Sequence, residues 1–119
     1  MADTHWTITN LLYRYAECID AGDFEGVGDI LAHATLTAEG TALHLDTRAA
    51  VLAHYVNVTR RYPDGTPRTK HVTTNPIVEV DEAAGTATCR SYFTVLQAVD
   101  GSLALQPIIA GRYHDSFER

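Results

Sequence analysis

Apolar residues in the first part of the chain recur at the spacing of an amphipathic helix. The i, i+3, i+4, i+7 rule is met by Ile8, Leu11, Leu12, Tyr15, Ala16 and Ile19. This pattern predicts one helix with a continuous apolar stripe. Thr7 or Asp3-Thr4 is expected to cap its start, and Gly22 is expected to end it.

Shorter elements are predicted to follow this helix. Asp23 is expected to cap a second helix, whose inward positions are Phe24, Val27, Ile30 and Leu31. Short strands are expected at Ala34–Glu39 and Leu43–Leu45, on either side of a turn at Gly40. A third helix, capped by Asp46 or Thr47, is expected to bury Val51, Leu52, Tyr55 and Val56.

The second half of the chain is rich in β-branched and aromatic residues. Three long strands are predicted at His71–Val80, Thr86–Val99 and Leu103–Phe117. Asp81–Gly85 and Asp100-Gly101 are the expected hairpin loops, and Pro76 marks the first strand as an edge or bulged strand. Three helices followed by antiparallel strands predict an α+β fold in one domain, residues 1–119. Its helices are expected to cover one face of a curved sheet and enclose an apolar pocket.

Composition excludes several classes of function. The 119 residues carry a net charge of −6, which argues against nucleic acid because phosphate binding needs a basic surface. Neither a membrane span nor a signal peptide is evident, so the expected location is the cytoplasm. The six histidines lack metal-ligand spacing and the sequence has no Gly-rich phosphate loop, so no metal or other cofactor is expected. The two cysteines, Cys18 and Cys89, are expected to be core or near-core residues rather than a disulfide.

Three residues have the chemistry for proton transfer in a closed pocket. Tyr15 and Asp20 lie five positions apart on the first helix, and His71 opens the first long strand. A carboxylate beside an imidazole holds the tautomer and supports acid–base action near neutral pH. Each residue also has a structural interpretation: Tyr15 as a core side chain, Asp20 as a turn residue and His71 as a satisfied strand histidine.

Three segments resemble the SnoaL-like branch of the NTF2-like superfamily. They are Arg14-Tyr15-Ala16 with Asp20-Ala21-Gly22-Asp23, Thr69-Lys70-His71 with Asn75-Pro76-Ile77-Val78-Glu79-Val80, and Gly111 to Arg119. The resemblance implies a cone in which three helices close a curved sheet around a pocket, and a homodimer or trimer through the sheet. In relatives a further strand follows the third segment, so the domain is expected to lack its final strand.

The resemblance also implies roles for individual residues. In bile acid 7α-dehydratase the helix tyrosine, the aspartate five residues later and the strand histidine are catalytic, and Tyr15, Asp20 and His71 stand in that pattern. Scytalone dehydratase has a second histidine that would fall near Thr94–Gln97, where this chain has none. The base aspartate of ketosteroid isomerase would fall at Ala38.

The pattern on the strands predicts the residues that contact the ligand. Alternate strand residues point to opposite sides, so either Tyr113 and Asp115 face the pocket or His114 does, in which case it adds a second acid–base group. Tyr113 and Asp115 are the expected pair, with His114 on the outer face. The expected substrate-binding residues are Tyr55, Asn75, Phe93, Ile108, Tyr113 and Asp115.

The resemblance implies a cofactor-independent lyase or isomerase for a hydrophobic polycyclic or aromatic molecule, acting as a dehydratase, a double-bond isomerase or a cyclase. The alternative is a non-catalytic ligand-binding or dimerisation module with the same fold.

Overall fold

Helices come first and long strands last in the computed structural model, which describes residues 2–119. The helices are α1 (Ala2–Asp20), α2 (Phe24–Ile30) and α3 (Arg48–Val58). The strands are β1 (Leu36–Thr37), β2 (His44–Leu45), β3 (Thr69–Asp81), β4 (Thr86–Val99) and β5 (Leu103–Glu118). All pairings are antiparallel, with β1 beside β2 and a separate sheet in the order β3-β4-β5. The predicted α+β class is confirmed.

The chain divides into two compact units. One is formed by α1 up to Ala16 together with Arg68–Arg119, and the other by Glu17–Pro67. None of these features tests the prediction that residues 1–119 form one domain, so it stays a prediction.

In the first unit, the apolar stripe of α1 packs on the three-stranded sheet. Ile8 and Leu12 form a buried core with Ala87 and Cys89 of β4. Val78, Val80 and Phe117 pack against this core from β3 and β5. Cys89 is 1% exposed, which confirms its predicted place in the core. The sheet face that carries this core is called the helix face below.

A bulge in β3 changes which residues reach the helix face. The register of β3 against β4 shifts between Thr74 and Ile77, and Asn75 has the left-handed φ of 56°. An inserted residue reverses the alternation of side chains. His71 and Thr73 therefore lie on the helix face before the bulge, and Val78 and Val80 after it.

The second unit is held by two capped helices and a two-stranded ribbon. The Gly26 N–H donates to Asp23 Oδ1 over 2.9 Å, and the Ala50 N–H donates to Thr47 Oγ1 over 3.1 Å. Both bonds confirm predicted N-caps. Val27 and Val51 are fully buried.

Two local predictions for the helices are wrong. Val56 is 51% exposed because it lies on the open side of α3. Neither Thr7 nor Asp3-Thr4 caps α1, since the helix has already begun at Ala2 and the Thr7 hydroxyl donates to the Asp3 carbonyl within it. The strand predicted at Ala34–Glu39 is also reduced to Leu36–Thr37.

Candidate functional site

The helix face of β4 is a regular row of buried side chains. Ala87, Cys89, Ser91 and Val95 are buried and Phe93 is half-buried. Phe93 pairs with Thr73 of β3 on one side and with Gly111 of β5 on the other. One pair further along, His71 lies opposite Val95, and in the other direction Tyr113 lies opposite Ser91. The register therefore brings chemistry-bearing residues from all three strands to one face.

Three aromatic rings form the centre of this face. The rings of Phe93 and Tyr113 are stacked, with centroids 4.5 Å apart and planes 19° apart. Tyr15 of α1 meets Tyr113 edge-on, with a centroid distance of 6.1 Å and an angle of 87°. This set of Tyr15, Phe93 and Tyr113 is called the aromatic cluster below. It gives a hydrophobic ligand flat surfaces against which to pack.

Gly111 makes room for one of these rings. A Cβ atom at Gly111 would lie 2.7 Å from both Cε1 and Cζ of Phe93. The ring therefore lies across the backbone of β5, where a larger residue would push it away. The position of the aromatic cluster depends on the absence of a side chain at this strand residue.

His71 is half-buried and belongs to the same face as the aromatic cluster. It is two residues before Thr73, which lies opposite Phe93. Successive residues on one face of a strand are roughly 7 Å apart. His71 and Phe93 are therefore diagonal neighbours on this face, roughly 7 to 8 Å apart.

Two buried oxygens lie beyond the aromatic cluster. Within residues 2–119, Ser91 Oγ and Asp115 Oδ2 are shielded from solvent and have no hydrogen-bond partner. Burial raises the pKa of the Asp115 carboxyl, and the nearby His114 partly offsets this by lowering it. Burial thus shifts the balance of this carboxyl towards its neutral form. His114 itself is exposed, while Tyr113 and Asp115 are half-buried.

Ser91 was not among the residues expected from the sequence. Its signal was the alternation along Thr86–Val99, which places Ser91 between Cys89 and Phe93 on one face. A small hydroxyl residue in a strand has many structural explanations, so the alternation alone did not single it out.

Two expected ligand contacts lie elsewhere on the sheet. Asn75 sits in the bulge with an exposed side chain, so it does not share the half-buried positions of His71 and Thr73. Its left-handed backbone is the physical reason. Ile108 is 47% exposed, in the part of β5 where residues 104–110 are all exposed.

Asp20 and Tyr55 belong to the second unit. Asp20 is the half-buried last residue of α1, before the turn at Gly22, where φ is 75°. Tyr55 is half-buried on α3, and its ring centroid lies 6.1 Å from that of Phe24 and 5.4 Å from that of His54. The ring contacts of Tyr55 thus lie within its own unit.

Two cavities near the turn between β3 and β4 are formed by other residues. The larger, of about 630 Å³, is lined by residues such as Glu79, Thr88 and Ser116. The second, of about 310 Å³, lies between the start of α1 and the same turn. Neither is lined by a residue expected at the site, and we base no function on them.

The described residues offer neither a metal-binding cluster nor a membrane-spanning helix. Within residues 2–119, no three His, Cys, Asp or Glu side chains are grouped so that they could hold a metal ion. No helix in that range combines the length and apolar character needed to cross a bilayer.

Similar structures come from several bacteria. The protein Aln2 from a Streptomyces species has a TM-score of 0.78 at 18% identity, over 100% of this chain and 82% of that one. A variant of Rv3472, a protein of unknown function from Mycobacterium tuberculosis, has a TM-score of 0.77 at 23% identity, over 99% and 68%. A protein of Novosphingobium aromaticivorans, provisionally named a scytalone dehydratase, has a TM-score of 0.71 at 15% identity, over 100% and 78%. At these identities the likeness shows the fold alone.

The comparison with curated proteins finds no match. The family model of the SnoaL-like domain, however, matches residues 1–119, which is the whole chain. A structural neighbour described as NTF2-like agrees with that match. The chain therefore belongs to the SnoaL-like domain family, within the NTF2-like fold.

Proposed function

We propose that this protein is a cofactor-independent lyase or isomerase for a hydrophobic, ring-containing small molecule. The observation that carries the proposal is the position of His71, half-buried on the same sheet face as the aromatic cluster. The rings hold a flat ligand, and the imidazole can reach one of its edges. Membership of the SnoaL-like family and a neighbour provisionally named a scytalone dehydratase support the same chemistry.

In the dehydratase form of the reaction, His71 removes a proton from the carbon next to a ketone. The electron pair of that C–H bond forms a carbon–carbon double bond, and the C–O bond of a β-hydroxyl breaks. The departing oxygen takes the proton that His71 removed and leaves as water, so His71 returns to its starting state and the net change is the loss of one water molecule. Tyr15 donates a hydrogen bond to the oxygen that gains negative charge. In the isomerase form, the same proton is returned to a different carbon.

The role of Asp20 rests on the resemblance. In that pattern the carboxylate orients the imidazole and balances its charge after proton transfer. Replacing Asp20 by Asn keeps the shape of the side chain and removes the charge. The expected result is a lower rate with little change in KM, because the charge acts on the transition state rather than on the bound ketone.

The test uses 3-hydroxy-1-tetralone, which loses water to give 1-naphthol. Wild-type protein is expected to accelerate the appearance of 1-naphthol fluorescence, and His71→Gln to lower the rate by at least about a hundredfold. His114→Gln is the matched control, because His114 is exposed on the other face. Equal rates in the two variants would refute the role of His71. A wild type that binds this compound without converting it would favour a binding module.

We also propose that the outer face of the sheet joins two copies of the chain. Val72, Ile77 and Tyr92 are exposed apolar residues there, with Asp81 towards one end and Lys70 towards the other. An antiparallel pairing of two such faces places acidic ends against basic ends. Sedimentation should give a dimer that Tyr92→Glu converts to a monomer; a monomeric wild type would refute this. The cytoplasmic location stays a prediction.

A further inference from the structure

Ser91 and Asp115 are neighbours whose buried oxygens have nothing to bind within residues 2–119. Ser91 lies opposite Tyr113, and Asp115 is two residues beyond Tyr113 on the same strand. Diagonal neighbours of this kind on one sheet face are roughly 7 to 8 Å apart, so one small group between them can meet both side chains. Ser91 is only 3% exposed.

Such a pair is costly for a folded protein. A buried polar atom without a partner loses its hydrogen bonds to water and gains none in return. Replacing Ser91 with alanine would remove the buried hydroxyl that lacks a partner and would leave no large void. Two such atoms side by side therefore point to a partner that binds from outside the chain.

We propose that Ser91 and Asp115 form a recognition site for a neutral hydroxyl group on a hydrophobic ring. A phenolic oxygen accepts a hydrogen bond from the Ser91 hydroxyl, and its own O–H donates to Asp115 Oδ2. A single hydroxyl group thus satisfies both orphaned oxygens. Ionised ligand groups are disfavoured, because both oxygens are shielded from water.

The ring that carries the hydroxyl fits the neighbouring aromatic cluster. Tyr113 lies beside both polar residues and is stacked on Phe93. Because the two oxygens are sealed from solvent, Tyr113 has to rotate when the ligand enters. The ring of the ligand then stacks on Phe93, in the position that the Tyr113 ring occupied. This inference rests on the proposed function only for the hydrophobic nature of the ligand.

The test compares 2-naphthol, naphthalene and 2-naphthoate by calorimetric titration of the full chain. Wild-type protein is expected to bind 2-naphthol at least about tenfold more tightly than naphthalene, and 2-naphthoate more weakly than either. The double variant Ser91→Ala/Asp115→Leu is expected to bind 2-naphthol and naphthalene equally. His114→Ala, with a change on the exposed side of β5, is expected to keep the wild-type ratio.

Ser91→Ala alone guards against a double variant that fails to fold. It is expected to unfold at the same or higher denaturant concentration than wild type and to lower the ratio several-fold. A wild type without preference for 2-naphthol, or a preference that is undiminished in Ser91→Ala, would overturn the inference. Because no turnover is measured, either result leaves the acid–base role of His71 to its own test.

Discussion

Replacing Gly111 with alanine tests how the aromatic cluster is positioned. The new Cβ would lie 2.7 Å from the ring of Phe93, whereas ordinary contacts begin at 3.4 Å. The ring must therefore retreat by at least about 0.7 Å, against a stacking partner 4.5 Å away. Forcing a side chain out of a well-packed place costs about 1 to 3 kcal/mol.

The measurement is a double-mutant cycle in urea with Gly111→Ala, Phe93→Leu and both together. Gly111→Ala should lower the free energy of unfolding only slightly in the Phe93→Leu protein, because the ring atoms that its Cβ would meet are gone. The coupling energy between the two substitutions should therefore be about 1 kcal/mol or more. In a chain of this size the single variant should also melt lower by about 4 °C for each kcal/mol lost. Additive costs would refute the reasoning, since they would mean that the alanine does not act through Phe93.

Three further predictions concern stability. Burial raises the pKa of the Asp115 carboxyl above its ordinary value of 3.8, so the stability that this carboxyl contributes is fully present below that pH and is lost as the pH rises through the folded pKa. The free energy of unfolding of Asp115→Asn, measured in urea, should therefore rise relative to that of wild type from about pH 4 to about pH 7. A difference between the two proteins that stays constant with pH would contradict this. Gly22→Ala should destabilise the protein more than Gly65→Ala in the same assay. Both glycines have positive φ, but only at Gly22 would the new Cβ clash with neighbouring backbone, the Gly65 carbonyl. Equal losses of stability would exclude that contact as the cause. Asp23→Ala should lower the stability of the protein by about 1 kcal/mol, because the hydrogen bond from the Gly26 N–H is lost. The control Glu25→Ala should lower it less. The reverse order of melting temperatures would argue against Asp23 as the cap.

The ends of the elements were predictable where one residue decides them. Asp23 and Thr47 accept the expected capping bonds, and Gly22 and Gly101 have the positive φ that their turns require. β4 was predicted at Thr86–Val99 and has those bounds. These features depend on neighbours in sequence, so local chemistry is sufficient to find them.

Features that depend on distant residues were harder to predict. The β3 bulge was indicated by Pro76, but the exposed side chain of Asn75 follows from a left-handed backbone. Val56 fits the helical period, yet it is 51% exposed, because periodicity alone does not say which positions a neighbouring element will cover. The unpartnered state of the Ser91 hydroxyl depends on neighbours distant in sequence, such as Tyr113 opposite it, which periodicity along one strand does not describe.

The most direct test of the central claim is the exchange of solvent deuterium into C2 of 1-tetralone, followed by proton NMR. This compound lacks the leaving hydroxyl, so the exchange reports proton removal alone. The account predicts catalysed exchange by wild type and by His114→Gln, and loss of that catalysis in His71→Gln. Exchange that is equally fast in His71→Gln, or a wild type that binds the ketone without exchanging its proton, would contradict the account.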